Sequence, residues 1–324
     1  MVSTSGHVRL GTRGSPMALW QARWVAEALR QQHPGLTTEL VVIRTAGDRN
    51  RQDPLPRIGG KGLFVKEIED ALLRQEIELA VHSMKDVPTT LPPGLHLSAV
   101  PPRDDVRDVF VGRDGRRLSD APGPWRIGTS SLRRRAQLLV LHRQVQVQDI
   151  RGNVDTRLRK MRQGEVDGVV VAAAGMYRLG LQAEITEFLP VEVMLPAAGQ
   201  GALGIETLAG HWIDDLLQPL HDPATARAVA AERAFLWHLG GGCTVPIAAL
   251  AQCQDAELHL QGLVSTPDGA QLLRQELRGP VQEPAQLGER LAAQMRASGA
   301  GALLEALQDD LHPLPAGEER EETD

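Results

Sequence analysis

The stretch VRLGTRGSPMALWQARWV, residues 8–25, contains an apolar strand, a Gly-Thr pair, a serine-containing turn and a helix. Residues 125–141, WRIGTSSLRRRAQLLVL, repeat that order. Ser15 is suited to cap the first helix, and Pro16 to occupy its first position. Strands that alternate with helices form parallel sheets covered on both faces. The repeat therefore predicts two α/β units side by side, with a cleft between them.

A different pattern begins near Asp222. The run PATARAVAAERAFLWHL predicts a long helix, and three strand-like runs follow it: TVPIAALAQC, ELHLQGLVS and AQLLRQELRG. The motif TPDG between the last two runs is a turn signal, and AQLGERLAAQMRASG begins a final helix. We therefore expect a smaller α+β domain at this end. The last residues, 312–324, are acidic with few apolar side chains, so we expect a disordered tail.

The composition is that of an ordinary globular protein. Of 324 residues, 42% are hydrophobic and 23% are charged, and the formal net charge is -6. A chain that coats nucleic acid needs a concentrated basic surface, and a binder of single strands needs aromatic platforms, but aromatic residues supply only 3% here. The run Arg133–Arg135 alone is weak evidence for such a partner. Without a leader peptide pattern or a long apolar run, we expect a cytoplasmic protein with no membrane anchor.

Three loops lie where a predicted strand ends and a helix begins: GTRGSP, GTSSLRRR and RGNVDTR. The N-terminus of a helix carries unsatisfied N–H groups and partial positive charge, so serine, threonine and glycine there, beside arginine, suit a carboxylate or phosphate. In any one loop the serines could simply cap a helix while the arginines are solvated. Three such loops in two units favour a ligand with several negative charges in the cleft.

Lys85 and Asp86 follow the apolar strand IELAVHSM, at the sheet edge where open α/β sheets bind ligands. They could form a structural ion pair. In a cleft rich in arginine, Asp86 could instead stabilise a developing positive charge or relay a proton. His82, on the strand itself, is typical of a satisfied core histidine.

Cys243 follows three glycines in LGGGCTVPIA, residues 239–248. Glycines allow close backbone approach and unusual dihedral angles, so we interpret Cys243 as a covalent attachment point. Cys253, on a strand, fits a small hydrophobic residue, and neither cysteine has the spacing of a metal site, so no metal is expected. The run GQGALG, residues 199–204, has the letters of a dinucleotide fingerprint without its strand and helix context; we interpret it as a hinge or cleft lining.

Together these residues resemble the porphobilinogen deaminase family, also called hydroxymethylbilane synthases. The resemblance extends from about Val8 to about Leu307, through TRGSPMALWQA, GGKGLFVKE, AVHSMKDVP, GTSSLRRR, RGNVDTRL, PAAGQGALGIE, AERAFL and GGGCTVPI. It implies a monomeric, cytoplasmic transferase of tetrapyrrole and heme biosynthesis. Such an enzyme condenses four porphobilinogens, with loss of ammonia, on a primer and then releases hydroxymethylbilane by hydrolysis. The alternative that the residues leave open is a non-catalytic binding protein for a polyanionic small molecule.

The resemblance also implies roles for particular residues. The primer would be a dipyrromethane cofactor, linked through a thioether at Cys243, and Asp86 would be the catalytic residue. The partners would be porphobilinogen and the growing polypyrrole chain, without nucleic acid or membrane. The other cofactor-binding residues would be Lys85, Ser83, Thr129, Ser131, Arg133, Arg134, Gly152 and Gln200, and the substrate carboxylates would bind Arg13, Ser15, Lys61, Arg151, Arg157 and Arg178.

The implied fold has two α/β domains, each like a lobe of a periplasmic binding protein, that flank a cleft, and a C-terminal α+β domain that carries the cofactor cysteine. Domain 1 would comprise residues 8–101 with 202–217, domain 2 residues 106–195, and domain 3 residues 222–311. The first domain would therefore be discontinuous in sequence.

Overall fold

The described strands of the computed structural model form two five-stranded sheets of mixed direction and one three-stranded antiparallel sheet. The structure describes residues 6–46, 65–120, 123–240 and 245–311, the last four of these by backbone alone. Helices pack on the sheets, so the predicted fold class, two α/β lobes with a smaller α+β domain, is confirmed. The expected tail, residues 312–324, lies outside the described residues.

The first sheet contains β1 (His7–Thr12), β2 (Thr37–Val42), β3 (Leu79–Ser83), β4 (Leu95–Ala99) and β10 (Leu203–Leu208), with α1 (Pro16–Gln32), α2 (Lys66–Leu73) and α6 (Ile213–Leu217) beside it. Its strand order is β2-β1-β3-β10-β4. β1 is parallel to β2 and β3, whereas β10 is antiparallel to β3 and β4. The core joins Leu10 and Ile205 of the sheet to Val25 and Leu29 of α1, all fully buried.

The second sheet repeats this arrangement. It contains β5 (Asp108–Gly112), β6 (Arg126–Gly128), β7 (Gln146–Gln148), β8 (Gly168–Ala172) and β9 (Glu187–Leu189), with α3 (Leu132–Leu141), α4 (Val154–Arg162) and α5 (Ala173–Arg178). Its order is β7-β6-β8-β5-β9, in which β5 is the antiparallel strand. The chain enters β5 directly from the first sheet and enters β10 directly from the second, so two crossing segments connect the lobes.

The C-terminal unit contains β11 (Ile247–Gln254), β12 (Glu257–Ser265), β13 (Leu272–Pro280), α7 (Pro223–His238), α8 (Pro284–Met295) and α9 (Gly301–Leu311). Phe235 of α7 packs with Leu260 of β12 and Leu291 of α8 in its core. The predicted final helix is interrupted between α8 and α9, where Gly299 has φ 108°.

Two local features differ from what composition alone favours. The apolar run VDGVVVAAAG, residues 166–175, is not one strand, since β8 ends at Ala172 and Ala173 begins α5, because the β-branched residues stop and three alanines favour helix. Asp108 ends the run PPRDDVRD, residues 101–108, which has the composition of a linker, yet it is the first residue of β5 and is fully buried. Within the described residues, no helix is both long and apolar enough to cross a bilayer.

Candidate active site

A cleft opens between the two five-stranded sheets, beyond the ends of β1, β3 and β8. Its cavity of about 290 Å³ is near the lower end of the range for small-molecule sites, roughly 300–1,000 Å³. Predicted site residues from distant parts of the sequence meet there: Arg13, Ser15, Ser83, Lys85, Asp86, Arg134, Gly152, Arg157 and Arg178.

Asp86 lies in a short 3-10 turn, Met84–Asp86, that follows β3 directly. Two backbone hydrogen bonds fix this turn: Met84 N donates to Ala202 O over 3.0 Å, and Val87 N donates to Met84 O over 3.1 Å. The carboxylate is therefore presented to the cleft from a backbone with little freedom to move.

Lys85 lines the cleft, and its side chain is exposed to it. The surrounding protein nevertheless desolvates its ammonium group and lowers the pKa of Lys85 to about 8, against the opposing effect of the Asp86 charge and with a smaller contribution from Arg134. Lys85 is therefore positively charged at neutral pH and loses its charge a little above it.

Arg134 is held in the cleft wall by a buried carboxylate beneath it. Its Nε and Nη2 donate to Asp108 Oδ1 over 3.1 and 2.7 Å, and its Nη1 donates to Val170 O over 3.0 Å. Arg133 Nη1 donates to Asp108 Oδ2 over 2.8 Å and to Leu195 O over 2.7 Å. Burial alone would raise the pKa of Asp108, but the charges of the two arginines outweigh it and hold the pKa well below the usual range.

Two further arginines come from helices of the second lobe. Arg157 Nε donates to Gly152 O over 2.8 Å, and burial, assisted by the charge of Arg134, lowers the pKa of Arg157 to about 10. Arg178 Nη2 donates to Gly201 O over 2.8 Å, and its guanidinium lies 5.7 Å from the centre of the Trp20 ring. Both side chains carry positive charge at neutral pH.

The serines of the first two anion loops do cap helices. Ser15 Oγ accepts from Ala18 N over 3.2 Å, and Ser131 Oγ accepts from Arg134 N over 3.4 Å. Thr129 Oγ1 accepts from Ser131 N over 3.2 Å. Ser15 also lines the cleft, so for this residue capping and a place in the site are compatible.

The remaining predicted residues are not in the cleft lining. Arg133 and Gln200 lie behind it as partners of Asp108, since Gln200 Nε2 donates to Asp108 Oδ1 over 2.9 Å. Lys61 and Cys243 lie outside the described residues. The described members that do not line the cavity are Thr129, Ser131, Arg133, Arg151 and Gln200.

Sequence reasoning missed two supporting residues, Asp108 and Gln21. Asp108 gives no local sign of its role, because its arginine partners are 25 and 26 residues away. Gln21 Nε2 donates to Ser83 Oγ over 2.7 Å and joins α1 to the end of β3. The available signal is its position in α1, five residues after Pro16. His82 is a satisfied core residue as expected, with Nε2 3.0 Å from Glu206 Oε2.

The cleft offers several positive side chains to an anionic ligand, and the Asp86 carboxylate offers a negative charge for its chemistry. Arg13, Lys85, Arg134, Arg157 and Arg178 surround it, and Asp86 lies among them. These donors fit a dipyrromethane, whose acetate and propionate groups are anionic and whose pyrrole N–H groups are donors. In the described parts of the chain, no group of three or more His, Cys, Asp or Glu residues has the arrangement of a metal site.

Two family models match this chain. The model described as "Porphobilinogen deaminase, dipyromethane cofactor binding domain" matches residues 8–212, and the model of the porphobilinogen deaminase C-terminal domain matches residues 226–297. The chain belongs to the porphobilinogen deaminase family. A porphobilinogen deaminase from Syntrophotalea carbinolica is 52% identical over 316 residues, which are 96% of this chain and 99% of the relative. Another, from Geobacter metallireducens, is 50% identical over 298 residues, 92% and 93% of the two chains.

Among solved structures, a TRAP periplasmic solute binding protein from Desulfovibrio salexigens is similar over 67% of this chain and 72% of its own, with 9% identity and a TM-score of 0.41.

As a porphobilinogen deaminase, the chain is a transferase of porphyrin biosynthesis that uses a dipyrromethane cofactor. It condenses four porphobilinogens with loss of ammonia and releases hydroxymethylbilane by hydrolysis. Neither the family models nor the relatives support the alternative of a non-catalytic binding protein.

Proposed function

We propose that Asp86 is the catalytic residue of this hydroxymethylbilane synthase. Loss of ammonia from porphobilinogen develops positive charge on the pyrrole ring, and a fixed carboxylate at the cleft stabilises that charge. The ionised form also accepts a hydrogen bond from a pyrrole N–H and so orients the ring. The observation that carries this proposal is the position of Asp86 on a fixed turn at the cleft, beside Lys85.

The positive side chains of the cleft would bind the acetate and propionate groups. Arginine offers paired N–H donors that match a carboxylate, and these bonds hold each pyrrole in a defined register. Arg133, Thr129, Ser131 and Gln200 would contribute by fixing Arg134 and the loop before α3. Of the described cleft lining, the groups proposed to contact carboxylates directly are Arg13, Ser15, Ser83, Lys85, Arg134, Arg157 and Arg178, together with the backbone at Gly152. Lys61, outside the described residues, and Arg151, outside the lining, are proposed to bind substrate carboxylates as well.

Cys243 would hold the dipyrromethane through a thioether. When bound, the cofactor supplies the pyrrole end to which new units are added. The support from this chain is the course of α7, which ends at His238 and leads through Gly240, with φ 70°, toward the cysteine. A positive φ suits glycine, and it turns the chain sharply after the helix.

The domain limits also remain proposals: residues 8–101 with 202–217, 106–195, and 222–311. The enzyme would act as a monomer in the cytoplasm, where porphobilinogen and the growing chain are its partners, without nucleic acid or membrane.

The test replaces Asp86 by asparagine, which removes the charge while keeping the size. Asp86→Asn should lower kcat at least about a hundredfold, the magnitude expected for loss of one fixed electrostatic contact at a reacting centre, while the cofactor stays attached. Asp155→Asn is the matched control, because Asp155 also lines the cleft and is exposed. It should leave kcat within a few-fold of wild type. Wild-type turnover in Asp86→Asn would refute the assignment.

A further inference from the structure

Helix α7 carries two consecutive charged residues, Glu232 and Arg233, that reach other parts of the fold. The fully buried Glu232 accepts from Arg103 Nη1 over 2.6 Å, from Gly199 N over 2.6 Å and from Ala251 N over 2.8 Å. It therefore joins the two crossing segments to the C-terminal sheet. Arg233 makes a different connection, to the chain that follows Asp86.

Arg233 binds the backbone directly after the catalytic turn. Its Nη1 donates to Val87 O over 3.0 Å and its Nη2 donates to Pro88 O over 2.5 Å. Burial lowers the pKa of Arg233, against the opposing charge of Glu206, yet the group stays charged at neutral pH. These are charge-assisted bonds in a half-buried setting, where they are stronger than bonds between neutral groups.

Arg233 thus supplies hydrogen bonds to two carbonyl groups of an irregular segment. Residues 87–94, VPTTLPPG, form no helix or strand and contain three prolines, which lack a backbone N–H. The carbonyl groups of Val87 and Pro88 therefore depend on partners from elsewhere in the fold. The bond from Val87 N to Met84 O leaves Asp86 directly between this segment and β3.

Apolar contacts on the same face of α7 reinforce the connection. Ala226, Val229 and Arg233 are spaced by three and four residues, so they share one face of the helix. Val229 and Ala226 belong to the same hydrophobic cluster as Val87 and Leu91. This face of α7 thus packs against the chain that follows Asp86.

The other end of α7 leads to the proposed cofactor attachment. Arg233 and Gly240 are seven residues apart, a rise of roughly 10 Å if the helical geometry continues throughout. One helix therefore contacts the backbone beside Asp86 and leads into the loop that carries Cys243. A small displacement of a reacting group can cost about a hundredfold in rate, so such a connection has catalytic consequences.

We propose that Arg233 is a positioning residue, which fixes the backbone of Asp86 relative to the cofactor-bearing end of α7. The proposal rests on the roles proposed above for Asp86 and Cys243. Arg233 does not touch the reacting atoms, so its effect is on kcat rather than on the binding of porphobilinogen.

The first test compares Arg233→Met and Arg233→Lys with Arg227→Met, an exposed arginine on the same helix. Intact mass confirms the cofactor in each variant, and steady-state kinetics give kcat and KM. Arg233→Met should lower kcat roughly tenfold to a hundredfold with KM within about twofold. Arg233→Lys, which keeps the charge, should recover part of the loss, and Arg227→Met should match wild type. Unchanged kcat in Arg233→Met, or equal losses in Arg227→Met, would overturn the proposal.

The second test combines Arg233→Met with Asp86→Glu, which keeps the carboxylate but displaces it by one methylene. If Arg233 acts through Asp86, adding Asp86→Glu to Arg233→Met should lower kcat by less than about threefold further, because the carboxylate is already displaced in Arg233→Met. Losses that multiply in full would show a general structural role and overturn the proposal. If Asp86→Asn retains wild-type kcat, the assignment of Asp86 fails, and the Arg233 proposal fails with it. A loss in Asp86→Asn with none in Arg233→Met refutes the Arg233 proposal alone.

Discussion

Replacement of Asp108 by asparagine should unfold the second lobe at markedly lower temperature. Asp108 Oδ1 accepts from Arg134 Nε, Arg134 Nη2 and Gln200 Nε2, and Oδ2 accepts from Arg133 Nη1. An asparagine that keeps its carbonyl at the Oδ1 position faces Arg133 with an NH₂ group. Two donors then oppose each other, and two buried guanidinium groups lose their counter-charge.

Removal of one partner of a buried ion pair lowers the free energy of unfolding by about 3–5 kcal/mol, because an uncompensated charge stays buried. For a cooperative unit of 60–100 residues, the size class of the second lobe (residues 106–195), each kcal/mol lowers Tm by about 4–8 °C, so the expected drop is roughly 12–40 °C. Glu184→Gln is the control in the same lobe. This substitution removes the ion pair with Arg162, whose side chain is 55% exposed. It should lower the free energy of unfolding by no more than about 1 kcal/mol.

The assay is thermal unfolding of both variants, followed by circular dichroism from pH 3 to pH 7. Because the folded-state pKa of Asp108 is lowered, its stabilising contribution is present above the unfolded pKa and falls away only as pH drops below about 4. The gap in Tm between wild type and Asp108→Asn should therefore be constant from pH 5 to pH 7 and narrow in acid. Equal Tm values for Asp108→Asn and Glu184→Gln at pH 7 would show that the buried Asp108 carboxylate does not stabilise the second lobe.

The other predictions concern pH and the loop that supports the catalytic turn. Since Lys85 has a pKa of about 8, its positive charge is lost as pH rises through that value, so KM for porphobilinogen should rise between about pH 8 and 10. In Lys85→Arg this rise should vanish, and an unchanged pH profile would contradict the assignment. Gly199 has φ 74°, and a Cβ there would lie 2.7 Å from Met84 Cγ and 3.1 Å from Lys85 N. Gly199→Ala should therefore cost at least about 1–2 kcal/mol of stability in backbone strain alone and lower kcat by moving the turn, whereas wild-type Tm and kcat would contradict this.

Local patterns in the sequence were sufficient to predict much of the fold. Ser15 and Pro16 mark the start of α1, and the cap that was predicted there is present. The TPDG turn is also present, where Gly269 N donates to Thr266 O over 3.0 Å. Such features depend on residues that are close in sequence, so the sequence alone is enough to predict them.

The sequence alone does not predict which of two adjacent arginines lines the cleft and which lies behind it. Arg133 and Arg134 are adjacent in GTSSLRRR, yet only Arg134 lines the cleft, because the helix directs consecutive side chains to different sides. The partner that distinguishes them, Asp108, precedes them by about 25 residues and acts from another strand. No local pattern indicates such a contact.

The contacts of Glu232 and Arg233 are even less predictable from the sequence. The motif AERAFL was recognised by resemblance, but Arg233 meets Val87 across 146 residues and Glu232 meets Arg103 across 129. These bonds exist only once three parts of the chain have packed together. They depend on tertiary structure, whereas helix and strand periodicity depends on local sequence.

Cys243 is proposed to carry the dipyrromethane on which the product is built. The intact mass of freshly purified protein, measured under denaturing conditions, should exceed the sequence mass by two porphobilinogens less two ammonias. A peptide map should place that addition on the segment containing Cys243. An unmodified Cys243 that stays bare after incubation with porphobilinogen, or an addition on another residue, would show that Cys243 does not hold the cofactor.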